Sequence, residues 1–126
     1  MAKVIGFGGI FFKSRDPQAL REWYARHLGA DVNDYGAMFG EDEKRPGCTL
    51  WAPFAADTAY FAPSTKDFML NFRVDDLDSL LTKLRADGVE VEPNVHGDEN
   101  GRFGWIMDPE GTRIELWQPP SATMSA

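Results

Sequence analysis

The pattern of hydrophobic residues changes along the chain from one typical of a β-strand to one with helical spacing, which predicts a strand followed by a helix. Residues 4–13 are mainly aromatic, β-branched or glycine, which is typical of a β-strand whose backbone another group approaches closely. Asp16 and Pro17 are typical of a helix start, apolar residues then recur at helical spacing, and Gly29 predicts the helix end. Shorter strands are predicted at 30–34, 37–39, 49–54 and 58–61, with a charged loop at 40–47.

The second half of the chain repeats this order. A strand is predicted at 68–74, Asp76 precedes a helix with leucines at helical spacing, and Gly88 predicts its end. The sequence Thr-Leu-Trp-Ala-Pro at 49–53 is matched by Glu-Leu-Trp-Gln-Pro at 115–119. Further strands are predicted at 89–92, 103–107 and 113–117, and the tail after Pro120 is predicted to fray.

The repeat predicts the fold class. Two β-α-β-β-β modules, at 4–62 and 67–120, would form a single α+β domain over residues 1–126. Neither module is large enough to bury its sheet alone, so we expect the two to share a core. The prediction is an open, curved, eight-stranded sheet with helices outside and a hollow inside.

The two faces of each predicted strand differ in composition, because side chains alternate along a strand. At 68–74 one face carries only apolar residues, which we assign to the helix side, and the other face is mixed. Mixed aromatic and polar sets are typical of a ligand pocket. Transferred between the repeats, they give the predicted ligand-binding residues Phe11, Lys13, Thr49, Trp51, Met69, Asn71, Arg73 and Trp117.

Glu115 is the candidate catalytic residue. It shares a predicted strand face with Arg113 and Trp117, directed into the hollow. One interpretation is a base or an orienting carboxylate in the pocket. The other is a structural acid paired with Arg73, Lys13 or Arg113, since an unpaired buried charge would be costly.

Three further reactive side chains are weaker candidates for a functional role. His27 lies near the C-terminal end of the first helix, where a protonated imidazole is favourable. His96 is predicted in a loop, where it is either solvated or able to reach the pocket as a base or ligand. Cys48 is predicted to be a structural or incidental thiol rather than a nucleophile, although Arg45 is close to it in the sequence.

Composition and charge exclude several classes of protein. With 20 acidic and 13 basic residues the net charge is −7, so the phosphates of a nucleic acid would be repelled. No apolar run approaches the about 18 residues that a membrane span requires. A single cysteine excludes an intramolecular disulfide framework. The chain runs from Met1 directly into strand-like sequence without a signal peptide, which predicts a cytoplasmic protein.

The end of the chain resembles a known family. Residues 108–119 read Asp-Pro-Glu-Gly-Thr-Arg-Ile-Glu-Leu-Trp-Gln-Pro and resemble the closing hairpin of the vicinal oxygen chelate superfamily. The opening strand and helix of the superfamily resemble the segment with Asp16, Trp-Tyr at 23–24 and Leu-Gly at 28–29. The start of its second module resembles residues 74–78. The superfamily includes glyoxalase I, extradiol dioxygenases, fosfomycin-resistance enzymes and bleomycin-resistance proteins. The resemblance therefore implies the fold and a homodimer, but no single activity.

The resemblance also identifies four positions at which metalloenzymes of the superfamily bind a divalent cation. Glu115 matches one of them, whereas the other three are Gly9, Thr49 and Met69. A hard cation needs several oxygen or nitrogen donors. We therefore predict no metal and no other cofactor.

These observations lead to one main hypothesis and two alternatives. The first is a glyoxalase- or bleomycin-resistance-like protein that binds a small molecule in the hollow without the family metal centre. The second is a metal-dependent lyase, isomerase or dioxygenase that uses Glu115 with other ligands, such as His96. The third is a drug- or metabolite-sequestering protein that binds without turnover. The sequence leaves open whether the protein is an enzyme.

Overall fold

The structure, a computed structural model, describes residues 2–28, 30–39 and 48–120. The predicted helix end at Gly29, the predicted loop at 40–47 and the tail after Pro120 lie outside these residues. The elements within them are β1 (Val4–Ser14), α1 (Pro17–Leu28), β2 (Val32–Asn33), β3 (Gly36–Phe39), β4 (Thr49–Ala55), β5 (Phe68–Val74), α2 (Leu77–Ala86), β6 (Glu90–Val91), β7 (His96–Asp98), β8 (Gly101–Met107) and β9 (Arg113–Gln118).

The strands form one mixed, open and curved sheet in the order β2-β3-β4-β1-β5-β9-β8-β6. Strands β1 and β5 pair antiparallel at its centre. On one side β1 pairs parallel with β4, and on the other side β5 pairs parallel with β9. The two halves of the sheet therefore repeat the same pairing, and the predicted α+β class is confirmed.

The predicted strand count is wrong in two places. In the described residues the sheet has nine strands, because the short β7 pairs with β8 where the sequence predicts a loop. The strand predicted at 58–61 does not form. Its backbone is used in turns instead, in which the Thr58 amide donates to the Ala55 carbonyl and the Ala62 amide to the Ala59 carbonyl.

Helix starts follow the predicted caps. The Asp76 carboxylate accepts hydrogen bonds from the Ser79 amide at 3.2 Å and from the Ser79 hydroxyl at 2.8 Å. Asp16 accepts from the Ala19 amide at 3.1 Å. These side chains satisfy amides that have no partner within the helix, which places both helix starts as predicted. Gly88 follows α2 with φ of +82°, a conformation that suits glycine.

Two hydrophobic clusters lie on opposite faces of the sheet. The cluster against α2 consists of Val74, Leu77, Leu80, Leu81 and Leu116, with Phe72 and Ile114 packed against it. The cluster on the concave face consists of Phe11, Ala52, Phe61 and Met69, with Leu50, Phe54 and Trp105 packed against it. The predicted alternation along β5 and β9 is therefore confirmed, and the helices leave the concave face open.

The glycines of β1 are closely approached, as predicted. A Cβ at Gly8 would lie 1.7 Å from Oδ1 of Asn71, and a Cβ at Gly9 would lie 2.1 Å from the carbonyl oxygen of Leu50. These distances are far below van der Waals contact, so both positions require the absence of a side chain. Among the described residues, no helix is long and apolar enough to cross a membrane.

Candidate functional site

A cavity of about 620 Å³ opens on the concave face. Its size lies within the range of about 300–1,000 Å³ that is usual for sites of small organic ligands. Strands from both halves of the sheet, together with the turn before β3 and the segment after β4, contribute to its walls. The aromatic residues that line it are Phe11, Tyr35, Trp51, Phe54, Tyr60, Phe103 and Trp117, and the ionisable acids are Asp34 and Glu115.

Glu115 lies in the wall of this cavity and is only 3% exposed. Its Oε2 accepts hydrogen bonds from the Tyr60 hydroxyl and from Nε1 of Trp105, the latter at 3.0 Å. Its Oε1 accepts from Nδ2 of Asn71 at 2.6 Å. The carboxylate is therefore held in one orientation by three donors from three separate segments of the chain.

The environment shifts the acidity of both Glu115 and Tyr60. Burial raises the pKa of Glu115, while the hydrogen bonds from Tyr60, Trp105 and Asn71 and the nearby charge of Arg113 oppose this rise. Burial and the neighbouring Glu115 raise the pKa of Tyr60, so its hydroxyl stays protonated and donates. A cavity carboxyl group whose pKa is raised is a candidate for proton exchange with a bound molecule.

Arg113 supports the donors around Glu115 rather than pairing with it. Its Nε and Nη2 donate to the carboxylate of Glu92 at 2.8 and 2.7 Å, and its Nη1 donates to the Tyr60 carbonyl at 2.6 Å. The guanidinium also lies 5.5 Å from the ring centre of Tyr60 and 5.0 Å from that of Trp105. It thereby fixes both aromatic donors in place.

Four of the predicted residues line the cavity: Phe11, Trp51, Glu115 and Trp117. Trp117 is 2% exposed, donates from Nε1 to the Asn100 carbonyl at 2.8 Å, and stacks on Phe103. Asn71 is fully buried behind Glu115 and reaches the site through its hydrogen bond to that residue.

Trp51 and Thr49 were predicted to face the hollow, but the register of β4 is shifted by one residue and they lie on the opposite face. The Trp51 ring packs on Tyr24 of α1, with ring centres 4.2 Å apart, and so its indole points to the helix side although the residue borders the cavity. The Thr49 hydroxyl donates to the Phe7 carbonyl at 3.5 Å. Strand register explains the error. Phe11 of β1 pairs with Ala52 of β4, and Asn71, the residue of β5 equivalent to Phe11, pairs with Glu115 of β9. Ala52 therefore occupies the position in the first half that Glu115 occupies in the second.

The other predicted binding residues do not line the cavity. Met69 is fully buried in the concave cluster, where its sulfur lies 3.7 Å from Nη1 of Arg113. The Lys13 ammonium lies 3.7 Å from Asp67. Arg73 is buried, and its Nε donates to the Phe7 carbonyl at 3.2 Å. These three side chains support the sheet around the site.

The sequence did not single out Tyr60, which contacts both Glu115 and Arg113. It lies in a segment that was predicted to be a strand but forms turns, so strand alternation does not tell where its side chain points. The one usable signal was the pair of aromatic residues at 60 and 61, shortly after the aromatic residue at 54 in β4.

The histidine and cysteine candidates are not among the residues that line the cavity. His96 is exposed on β7 and its Nε2 lies 3.0 Å from Asp98, outside the cavity lining. His27 packs against Trp23 on the surface of α1. Cys48 is buried immediately before β4.

The residues at the superfamily's metal positions do not fit a divalent cation. Gly9 and Met69 offer no hard donor, and Ala52, which the register places opposite Phe11, offers none either. Both oxygens of Glu115 already accept hydrogen bonds from neutral donors. No group of three or more His, Cys, Asp or Glu side chains in the described ranges could hold a metal ion.

A model of the glyoxalase-like domain family matches residues 9–117. The chain belongs to this family, within the vicinal oxygen chelate superfamily. The match begins within β1, ends within β9 and includes Glu115. No curated protein matches the chain.

Solved structures of other superfamily members share the fold of this glyoxalase-like chain. Methylmalonyl-CoA epimerase from Mycobacterium tuberculosis is 21% identical, with a TM-score of 0.65, covering 98% of this chain and 93% of that chain. A variant of the Streptomyces coelicolor epimerase in complex with 2-nitronate-propionyl-CoA is 18% identical, with a TM-score of 0.70, covering 94% of this chain and 100% of that chain. The 2,3-dioxygenase LapB from Pseudomonas sp. KL28 is 20% identical, with a TM-score of 0.68, covering 98% of this chain and 43% of that chain. At these identities the likeness concerns the fold.

Proposed function

We propose that this glyoxalase-like protein binds a small organic molecule in the concave cavity and orients it through Glu115. The observation that carries the proposal is a buried carboxylate, held by three donors, in the wall of a cavity that is otherwise mostly apolar and aromatic. An apolar cavity with a few fixed polar groups is the usual design of a small-molecule site.

The position of Glu115 supports a role in binding over a purely structural role. A structural carboxylate at 3% exposure would be expected to face a cation directly, whereas the Arg113 guanidinium makes its bidentate pair with Glu92. The three donors of Glu115 leave its Oε1 with one hydrogen bond, and a carboxylate oxygen can accept a second. Oε1 therefore keeps one acceptor site for a ligand.

The binding proposal is tested by a thermal-shift screen followed by two matched variants. The compounds are chemically diverse and include catechols, glutathione adducts and cationic antibiotics. A ligand at about 100 times its Kd stabilises the folded state by about 2.7 kcal/mol, which raises Tm by several degrees. We expect a hit whose effect is lost in Glu115→Gln and kept in Glu110→Gln, since Glu110 lies exposed in the turn before β9. A screen in which every hit acts equally on both variants would contradict the proposal.

Acid–base catalysis is the second candidate function. It is favoured by the raised pKa of Glu115, which would allow this carboxyl to take a proton from a bound molecule and return it. Incubation of a bound hit in D₂O tests it: wild-type protein should introduce deuterium at an acidic C–H position, and Glu115→Gln should not. Deuterium introduced by neither protein would support binding without turnover, as in a sequestering protein. Deuterium introduced equally by both proteins would show that Glu115 is not the base.

The metal-free site, the homodimer and the cytoplasmic location remain predictions from the sequence. Elemental analysis of protein purified without chelator addresses the first, because one tightly bound Ni, Zn, Mn or Fe per chain would overturn it. Sedimentation equilibrium addresses the second.

A further inference from the structure

The geometry points to a specific ligand class: the cavity selects a planar aromatic molecule that carries a positively charged ammonium group. This inference rests on the proposed function, since it names the kind of small molecule that the site binds. Three features of the cavity support it: the charges of its lining, the state of the nearest cation and the arrangement of its aromatic rings.

The ionisable residues that line the cavity are both acidic. Asp34 and Glu115 are part of the lining, and no Lys, Arg or His of the described residues is among the lining side chains. A carboxylate, phosphate or other anion would therefore meet two like charges and no cationic partner. Like charges brought together out of water cost binding energy, so this lining disfavours anionic ligands.

The nearest buried cation is already neutralised. Two nitrogens of Arg113 donate to Glu92, and the third donates to the Tyr60 carbonyl. One positive charge thus lies between Glu92 and Glu115, and the group of three retains one negative charge when Glu115 is ionised. A ligand ammonium group would balance that charge and would donate to Oε1 of Glu115, which has room for one more hydrogen bond.

Two pairs of aromatic rings with nearly parallel planes border the same cavity. Phe54 and Tyr60 are stacked with ring centres 5.6 Å apart and planes at 11°, and Phe103 and Trp117 are stacked at 6.2 Å and 3°. All four residues line the cavity. Ring faces attract both a planar aromatic body and a cation, so the walls and the carboxylate favour the same kind of molecule.

Three probes of similar shape and different charge test the inference. They are 1-naphthylmethylammonium, 1-naphthylmethanol and 1-naphthylacetate, measured by isothermal titration calorimetry at neutral pH and low salt. We expect the ammonium compound to bind about ten-fold more tightly than the alcohol and the carboxylate to bind most weakly. The preference for the ammonium compound should disappear in Glu115→Gln and persist in Glu110→Gln, which loses the same charge from the surface.

The comparison of the three probes needs only the wild-type protein, so it decides the question even if the Glu115 variant fails to fold. Asp34→Asn provides a second variant. Because Asp34 lies in an exposed turn, its substitution should weaken binding of the ammonium compound by only about two- to three-fold. Equal or tighter binding of the alcohol or the carboxylate overturns the inferred charge preference and leaves the proposed function standing. If none of the three compounds binds at millimolar concentration, the inferred ligand class is wrong. The proposed function is then tested by the thermal-shift screen alone.

Discussion

Asn71 and Glu115 lie side by side on the parallel strands β5 and β9, and the Asn71 amide donates to the Glu115 carboxylate at 2.6 Å. Asn71 is fully buried, and its Oδ1 has no hydrogen-bond partner among the described residues. That oxygen occupies the space where a side chain at Gly8 would be. Three strands thus meet at one amide group, and the position of Glu115 depends on a glycine in the neighbouring strand.

Replacing Gly8 by alanine should disrupt the site as well as the fold. The added Cβ would lie 1.7 Å from Asn71 Oδ1, so the amide must move and lose its hydrogen bond to Glu115. Overpacking and the loss of a hydrogen bond to a charged group predict a destabilisation of about 3 kcal/mol. Urea unfolding measures it. Gly97→Ala is the matched control, because its Cβ would only approach Arg102 at 3.9 Å, and equal losses in both variants would contradict the prediction.

Replacing Glu115 by glutamine should change how stability depends on pH. Burial raises the pKa of Glu115 above its ordinary value of 4.5, so the folded state holds a proton that the unfolded state releases. The free energy of unfolding of the wild type should therefore decrease as pH rises from about 4.5 through the folded-state pKa, and then level off. Glu115→Gln lacks this decrease and should gain stability relative to the wild type over that range.

Urea unfolding of both proteins at about pH 5 and pH 8 measures this difference. The glutamine variant should fold, since rotation of the Asn71 amide lets its Oδ1 accept from the new side-chain NH₂ group. Glu110→Gln should follow the wild type at both pH values. A wild type that gains stability relative to Glu115→Gln as pH rises would show that the pKa of Glu115 is lowered, contrary to the structure.

Removing the Tyr60 hydroxyl should raise the pKa of Glu115 further. The hydrogen bond from Tyr60 opposes the effect of burial, while the Tyr60 ring also stacks on Phe54 and would stay in place in Tyr60→Phe. Titration of the Glu115 carboxyl carbon by NMR measures the pKa. Tyr24→Phe, on α1, makes the same chemical change away from the carboxylate and should leave it unaltered. An unchanged or lowered pKa in Tyr60→Phe would show that this hydrogen bond does not stabilise the ionised form.

Arg113→Lys should destabilise the protein although it keeps the positive charge. A lysine ammonium cannot bind both oxygens of Glu92 and reach the Tyr60 carbonyl at once. Breaking a buried pair costs about 3–5 kcal/mol, and the partial exposure of Glu92 reduces the expected loss to about 2 kcal/mol. Chemical denaturation measures the loss.

Arg102→Lys is the control for this prediction. Arg102 pairs with Asp78 at 2.6 Å, but both side chains are largely exposed, so the substitution should have a small effect. A loss in Arg113→Lys no larger than that in Arg102→Lys would mean that the contacts of Arg113 do not stabilise the folded protein.

The sequence assigned Glu115 to the concave face but gave no face for Tyr60, and the two results have different physical origins. In β9 the apolar residues Ile114 and Leu116 alternate with polar and aromatic ones, so the period of two assigned Glu115 and Trp117 to the concave face correctly. Tyr60 lies in a turn, where no period assigns a side chain to a face. Its contact with Glu115 spans 55 positions in the chain and depends on how the two halves meet.

The amino-acid sequence by itself determined the helices, their caps, the repeated order of elements and the faces of β5 and β9, because these depend on local propensities and on regular alternation of side chains. Only the tertiary structure decided the register of β4 against β1, which turned the Trp51 ring towards α1 and placed Ala52 opposite Phe11. It also decided the partners of Glu115, which come from a turn and two separate strands. A shift of one residue exchanges the faces of a strand, and only packing between distant segments selects one register over the other.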